Sequence, residues 1–340
     1  MTTFTPDRVA WSRVSWFYGI AFGGAVLVGL VLWAMRQGGV PVVVIQGATA
    51  VLYMPLPLVA GLIVERRAGR RPLIATEWRH LRTRFWATIG PSAVYALVVM
   101  IAVLALALVV ALIAGAVGLP GAGHFVASDA EFRERLLQIV PALPADTQLP
   151  PVPVLAAALL SQGLLAGLTI NGLFAFGEEY GWRGVLAEEL RPLGNLRANL
   201  LTGVLWGLWH APVIILLGHN YGAEWGWGIL LMVAWTTPLA FLLSWVRQRS
   251  GSVLAPAFLH GAYNGTIGFF VLTITGGSLF VAMPMGLLMA LVLTAVALVV
   301  WRLPLRPGPM SGTQELAVPG PDYSAESVRE ADSSSGPRPS

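Results

Sequence analysis

The sequence predicts an all-α protein, a polytopic bundle of about eight transmembrane helices with both termini in the cytoplasm. Three observations lead to this fold class. Apolar residues make up 56 % of the 340 residues and charged residues only 11 %, whereas soluble domains carry about 25 % charged residues. Uncharged runs of the roughly 20 residues that a crossing helix needs recur along the chain. Basic residues collect between particular runs rather than being spread evenly.

The predicted spans follow one another with short polar connections. Residues 14–35 form an uncharged run bracketed by Arg13 and Arg36. This run is too long for the apolar region of a signal peptide and is interpreted as a retained first span. The third run is longer than one crossing requires, which indicates a tilt or an extension into the interface. The remaining spans are predicted at residues 40–64, 85–117, 154–177, 198–217, 227–246, 253–275 and 279–301.

Arginine placement predicts the orientation, because cytoplasmic loops of membrane proteins collect basic residues. The predicted loop 65–84 holds seven arginines against Glu65 and Glu77 and is placed in the cytoplasm. The predicted loop 118–152 holds four acidic residues against two arginines and is placed outside. All 21 basic residues are arginine, and the net charge of +4 is too small to indicate a nucleic-acid partner.

The chain divides into four predicted regions. Residues 1–150 form an N-terminal scaffold of three spans with the arginine-rich loop and the outer loop, in which a short amphipathic helix is predicted near residues 131–140. Residues 151–275 hold nearly all the polar groups within spans, and residues 276–302 hold the last span. Residues 303–340 are rich in Pro, Gly, Ser and acidic residues. They are predicted to be a disordered cytoplasmic tail, because they cannot bury enough apolar surface to offset the entropy of ordering.

Ionisable and strongly polar side chains within the predicted spans are rare and cluster in the second half of the chain. Each ionisable group costs roughly 2.5–3.5 kcal/mol on insertion, which makes such residues functional candidates by default. The candidates lie at the end of the fourth span and within the fifth and seventh spans: Glu178, Glu179 and Arg183, then His210, then His260 with Asn264.

The segment 176–184 contains two adjacent carboxylates in different situations. In a helix, Glu179 and Arg183 are spaced i, i+4 and can form an ion pair. Glu178 points about 100° away and has no such counter-ion. A carboxylate of this kind suits a general base. The structural alternative is that all three charges end the helix at the cytoplasmic interface.

The two histidines within spans allow several chemistries. His210 lies near the middle of its span, where a histidine also serves as an interhelical hydrogen bond. His260 and Asn264 are spaced i, i+4 and can together bind a water, a metal or a developing oxyanion, or can clamp two helices. Glu178, His210 and His260 would also form a two-histidine, one-carboxylate zinc set. The chain has no cysteine and no serine in a nucleophile motif, which favours an activated water as nucleophile.

Taken in order, these motifs resemble the CPBP family, which comprises the type II CAAX prenyl proteases and bacterial proteins linked to bacteriocin processing and self-immunity. The family pattern is Glu-Glu-x-x-x-Arg, then aromatic-x-x-x-His, then His-x-x-x-Asn on successive membrane segments. The matching segments here are Glu178-Glu179-Tyr-Gly-Trp-Arg183, Trp206-Gly-Leu-Trp-His210 and His260-Gly-Ala-Tyr-Asn264. Tryptophan stands where phenylalanine is usual in the second motif. The resemblance covers about residues 155–270 and makes 151–275 the expected catalytic core.

The resemblance implies an intramembrane endopeptidase whose site opens toward the cytoplasm. Glu178 would activate water with help from His210, while His260 and Asn264 would stabilise the oxyanion or complete the water site. The ion pair between Glu179 and Arg183 would fix the end of the helix that carries Glu178. The family's metalloprotease character would instead make Glu178 a zinc ligand, so both roles of this residue stay open.

The expected partners are the lipid bilayer and a membrane-associated peptide or protein, prenylated or not. The absence of lysine and the abundance of Ala, Gly, Arg and Trp favour a bacterial plasma membrane as location. Two other functions stay open. One is a non-catalytic membrane protein that confers immunity by binding, and the other is a transporter that uses Glu178 and His210 as a proton relay.

Overall fold

The structure is a computed structural model of the chain, and it describes residues 8–140, 144 and 146–303. Of the predicted tail, residues 303–340, all but residue 303 lie outside the described residues. Helices make up most of the described part, which confirms the all-α class. The helices of the first half are α1 Trp11–Gln37, α2 Val42–Ala48, α3 Leu56–Arg67, α4 Leu73–Thr83, α5 Phe85–Ala116 and α6 Asp129–Ile139. Those of the second half are α7 Val152–Gly167, α8 Ile170–Glu179, α9 Ala187–Leu190, α10 Gly194–Trp209, α11 Ala211–Leu217, α12 Trp225–Ser250, α13 Leu254–Thr273 and α14 Leu287–Arg302.

Five helical segments are long and apolar enough to cross a membrane, judged by length and composition within the described residues. They are Trp11–Gln37, Val42–Arg67, Phe85–Ala116, Ile170–Leu217 and Trp225–Ser250. Two shorter apolar helices, Val152–Gly167 and Leu287–Arg302, accompany them. The chain is therefore a membrane protein, while the count of eight spans and the side of each terminus stay predictions.

Three predicted spans are not single α-helices. The second, predicted at residues 40–64, consists of α2, the π-helical turn Thr49–Tyr53 and α3. The fourth was predicted as one helix over residues 154–177, and this is wrong: α7 ends at Gly167, and α8 begins at Ile170 and runs on to Glu179. The break at Thr169 has a backbone outside the helical region, with φ −128° and ψ −109°. The fifth span breaks at His210, between α10 and α11. Pro212 in the first turn of α11 fits this break, because proline cannot donate a backbone hydrogen bond to the preceding turn.

The predicted arginine-rich loop 65–84 contains a helix, α4, which the sequence analysis did not predict. This helix buries Glu77 on one side and exposes Trp78, Arg79 and Arg82 on the other. Its amphipathic pattern has the period of a surface helix, a signal that the density of arginines obscured.

The predicted outer segment contains the expected short helix and an unexpected strand. Helix α6 confirms the amphipathic helix, and Ser128 caps it by accepting a hydrogen bond from the Glu131 backbone N–H at 3.2 Å. Strand β1, Ala122–Phe125, pairs antiparallel with β2, Ile274–Gly277. Because β2 follows α13 directly, the seventh predicted span ends at Thr273 rather than 275, and the eighth helix begins at Leu287 rather than 279.

Helix α13 is packed at the centre of the second half against α7 and α8. Glycines allow these helices to approach closely, as is common between membrane helices. A Cβ atom on Gly163 would lie 2.7 Å from the carbonyl carbon of Gly265, and one on Gly167 would overlap the backbone of Ala262. This close packing fixes α13 relative to α8, and these two helices carry most of the predicted polar residues.

Candidate active site

The predicted site residues come from three segments that meet inside the bundle: the end of α8, the end of α10 and the first half of α13. After Glu179 the chain continues as a π-helical turn, Tyr180–Leu186. Turns of this kind are frequent at functional sites. Gly181 in this turn faces α3, where an added Cβ would lie 2.5 Å from the carbonyl oxygen of Pro57. The absence of a side chain there lets α3 cover the turn and exclude solvent.

Glu178 is buried, with 3 % of its surface exposed. Its Oε2 accepts a hydrogen bond of 2.8 Å from Nε1 of Trp206, which is itself buried on α10. The other oxygen, Oε1, accepts no hydrogen bond from a described residue. The indole therefore holds the carboxylate in one orientation and leaves one oxygen for a water molecule or a substrate group.

Glu179 joins the first and third motifs. Its Oε1 accepts from Nη1 of Arg183 at 3.2 Å, so the ion pair expected from the i, i+4 spacing is formed. The same oxygen accepts from Nδ1 of His260 at 2.8 Å. Since a carboxylate oxygen has no hydrogen to donate, Nδ1 of His260 carries the proton and Nε2 is left for other partners. Glu179 thus fixes the ring of His260.

The cluster contains buried polar atoms that lack a partner among the described residues. They are Oε2 of Glu179, Nε1 of Trp182, and Nε and Nη2 of Arg183. The Arg183 guanidinium also stacks over the Trp206 ring, 4.2 Å from its centroid. Unpartnered buried polar atoms are rare in native structures and call for a functional reason or a bound water. A bound water or a substrate group beside these atoms would supply the missing hydrogen bonds.

His210 and Asn264 approach the cluster without joining its hydrogen bonds. Nδ1 of His210 donates to the backbone carbonyl of Trp206 at 2.9 Å. The Trp206 ring contacts both histidines, with its centroid 5.9 Å from the ring centroid of His210 and 5.3 Å from that of His260. Asn264 lies one helical turn beyond His260, half-buried, and forms no hydrogen bond with a described residue. The structure therefore joins Glu179, Arg183 and His260 through direct contacts. It links Glu178 to this group through Trp206, and it leaves His210 and Asn264 at the edge.

The geometry does not supply a ready metal site. Within the described part of the chain, no three His, Cys, Asp or Glu side chains are grouped so that they could hold a metal ion. Glu178, His210 and His260, the zinc set that the sequence left open, are therefore not grouped as metal ligands in the described part of the chain. The requirement for zinc stays a prediction.

The sequence did not reveal Trp206 as the partner of Glu178. Trp206 entered the motif only as an aromatic residue, and its bond to Glu178 joins positions 28 residues apart. No local pattern encodes such a contact, because it depends on how α8 and α10 pack.

Two glutamates of the arginine-rich segment, Glu65 and Glu77, also support the site. The sequence analysis counted them only in the charge balance of the predicted loop. Oε2 of Glu65 accepts a hydrogen bond of 2.5 Å from the hydroxyl of Tyr180, the residue that directly follows Glu179. Glu77 accepts from the Ser252 hydroxyl at 2.6 Å and from the Val253 backbone N–H at 3.1 Å, just before α13 begins. Their burial is the only feature that distinguishes them from surface charges, and burial is not visible in the sequence.

Comparison with known proteins points to one family. Residues 157–266 match the family described as type II CAAX prenyl endopeptidase Rce1-like. A curated relative, CAAX prenyl protease 2 of Methanococcus maripaludis, is 30 % identical over 96 residues, which cover 25 % of this chain and 34 % of that protein. The match thus spans about a third of the relative's length. No solved structure matches the chain. The matched segment contains all three motifs and the buried cluster that they form.

Proposed function

Since residues 157–266 match the type II CAAX prenyl endopeptidase Rce1-like family, we propose that the chain is an intramembrane endopeptidase of this kind. The single observation that carries the proposal is the buried cluster in which Trp206 holds Glu178 and Glu179 holds His260. A base and a second polar group, each fixed by a partner and shielded from bulk solvent, form the preorganised arrangement that peptide hydrolysis needs.

In the proposed reaction, the Glu178 carboxylate takes a proton from a water molecule as the water oxygen attacks the peptide carbonyl carbon. The carbonyl electrons move to the oxygen, and the resulting oxyanion is stabilised by Nε2 of a protonated His260 and by the Asn264 amide. The C–N bond then breaks, and Glu178 returns the proton to the leaving nitrogen. Glu178 is thus the base in the first step and the acid in the second.

His210 has a positioning role in this proposal. Because its Nδ1 donates to the Trp206 carbonyl, the neutral ring has an unprotonated Nε2 that can accept a hydrogen bond from the attacking water.

The proposed substrate is a membrane-associated peptide or protein, and a chain with a CAAX-type carboxyl terminus is one example of this class. A proton-coupled transporter is disfavoured, because the polar groups are in one half of the chain.

Proteomics of membrane-peptide termini tests the function directly. Cells that express the wild-type chain or the control Glu188→Gln, a change at an exposed carboxylate, are expected to share new peptide termini that are missing with Glu178→Gln. Identical termini in all three samples, with equal protein levels, would contradict proteolysis. If biological function also survived in Glu178→Ala and His210→Ala, a non-catalytic binding role would replace it.

Asn264→Ala is expected to lower kcat by roughly 10²–10³-fold, the usual effect of losing one oxyanion donor. KM and the amount of folded protein are expected to stay close to wild type, because Asn264 forms no hydrogen bond with a described residue. Steady-state kinetics on a fluorogenic prenylated peptide would measure this. A kcat equal to wild type would remove Asn264 from the mechanism.

Metal analysis of the purified protein distinguishes the two roles of Glu178. With Glu178 as base, any metal bound to the wild type is expected to stay at the same stoichiometry in Glu178→Gln. Mass spectrometry of metals, with Glu188→Gln as a matched control, measures this. A stoichiometric metal that is lost only in Glu178→Gln would instead make Glu178 a ligand.

A further inference from the structure

Helix α4 presents an unpartnered amphipathic side at the predicted cytoplasmic end of the bundle. It lies between two segments that are long enough to span a membrane, Val42–Arg67, which ends with α3, and Phe85–Ala116, which is α5. Ile74, Trp78 and Arg82 are spaced i, i+4 along one side of α4, and all three are exposed. Trp78 exposes 61 % of its surface. Arg79 extends this side with a further exposed charge.

Basic and aromatic residues next to α4 enlarge this surface. Trp86, at the start of α5, exposes 78 % of its surface. The Arg67 guanidinium lies 4.2 Å from the ring centroid of the exposed Trp16. Such a combination of tryptophan and arginine is typical of the bilayer interface, where the rings lie at headgroup level. The exposed arginines of this surface are Arg66, Arg67, Arg71, Arg79, Arg82 and Arg84.

We propose that α4 and these flanking arginines bind the headgroups of anionic phospholipids. None of the six arginines forms an ion pair with a described carboxylate, so their charge is available to a partner. The two described carboxylates of this segment, Glu65 and Glu77, are buried and face inward. A cluster of basic residues beside a membrane helix is the complement of a negatively charged leaflet. The exposed Ile74 and Trp78 give the same side an apolar anchor at the interface.

The buried side of α4 is bonded to the two segments that carry the proposed catalytic groups. At its start, the Leu73 backbone N–H donates to Glu65 Oε1 at 2.8 Å, and the Ile74 N–H donates to the Tyr180 hydroxyl at 3.3 Å. Tyr180 directly follows Glu179. In the middle of the helix, Glu77 accepts from Ser252 at the entrance to α13. Lipids that hold α4 at the interface therefore also hold the segments that carry Glu178 and His260.

The hydrogen bonds between α4 and these segments couple lipid binding to the active site. This coupling rests on the proposed function, and it makes the enzyme more active in anionic membranes. The lipid binding itself does not depend on the function. It can be measured separately, because the chain has no cysteine. A single cysteine introduced as Thr83→Cys, at an exposed position of α4, carries the only thiol label.

Quenching of a fluorophore on Thr83→Cys by brominated lipids tests the binding in vesicles that contain the full chain. Brominated phosphatidylglycerol is expected to quench more strongly than brominated phosphatidylcholine at equal content. Arg79→Gln with Arg82→Gln is expected to weaken this preference by roughly 30-fold, at about fivefold for each basic residue near an anionic surface. The control, Arg191→Gln with Arg302→Gln, removes two exposed charges that lie outside α4 and its flanking arginines and is expected to keep the preference.

Equal quenching by the two lipids, or an equal loss of preference in both double variants, would overturn the proposal. Cleavage of a fluorogenic peptide in the same vesicles then tests the coupling. The rate is expected to be higher with phosphatidylglycerol, and equal rates in the two lipids would overturn the coupling alone. Absence of cleavage in every lipid, with the quenching preference intact, would count against the proposed function and not against lipid binding.

Discussion

Replacing Glu178 with glutamine is expected to lower kcat for peptide cleavage by roughly 10²–10⁴-fold, the usual contribution of a positioned general base. Glutamine has nearly the same shape as glutamate, and its amide oxygen can still accept from Trp206 Nε1, which lies 2.8 Å from the native carboxylate. The substitution therefore removes the proton acceptor and leaves the packing around it. KM and the amount of folded protein are expected to change little, so the loss lies in kcat.

Two further variants show whether this loss reports the base. Glu188→Gln applies the same chemical change to an exposed glutamate, and it is expected to leave kcat at the wild-type value. Trp206→Phe removes the donor to Glu178 and keeps the carboxylate. It is expected to lower kcat less than Glu178→Gln does, because the base remains but is less well oriented. A wild-type kcat in purified Glu178→Gln would show that Glu178 is not the base.

Contacts between residues close in sequence could be predicted from the sequence, whereas contacts between separate helices could not. The pair Glu179–Arg183 follows from i, i+4 spacing, and the structure forms it. The bond from His260 to Glu179 joins residues 81 positions apart, and it exists because α13 packs against α8. Motif order indicated that these residues belong to one site. Only the packing shows that Glu179 holds His260, while Trp206 holds Glu178.

The apolar runs predicted the fold class correctly, but they did not predict where helices break or where short strands form. Hydrophobicity alone cannot distinguish a straight span from one interrupted at Thr169, because both lie in the same apolar environment. The strand pair that connects Ala122 with Gly277 was missed for a similar reason, since each strand has only four residues. Helix α4 was missed because residues 65–84 were interpreted from their number of arginines and not from the helical period of their apolar residues.

Removing only the carboxylate of Glu179 is expected to destabilise the protein by about 3–5 kcal/mol, the usual cost of breaking a buried ion pair from one side. Glu179 and Arg183 are both buried, so Glu179→Leu leaves a guanidinium without its counter-ion in an apolar environment. Adding Arg183→Met removes that charge, and the double variant is expected to recover most of the lost stability. Unfolding in mixed detergent micelles, followed by tryptophan fluorescence, measures the free energy of unfolding of each variant.

Stability and activity are expected to separate in the double variant. Its cleavage rate should stay low, because Nδ1 of His260 loses the carboxylate that it contacts at 2.8 Å and the ring is free to turn. The matched control is the exposed pair Glu188–Arg191, with 4.0 Å between its charged atoms. Replacing it is expected to change the free energy of unfolding by no more than about 1 kcal/mol and to leave the cleavage rate unchanged. A double variant with both wild-type stability and wild-type cleavage would show that Glu179 does not position His260.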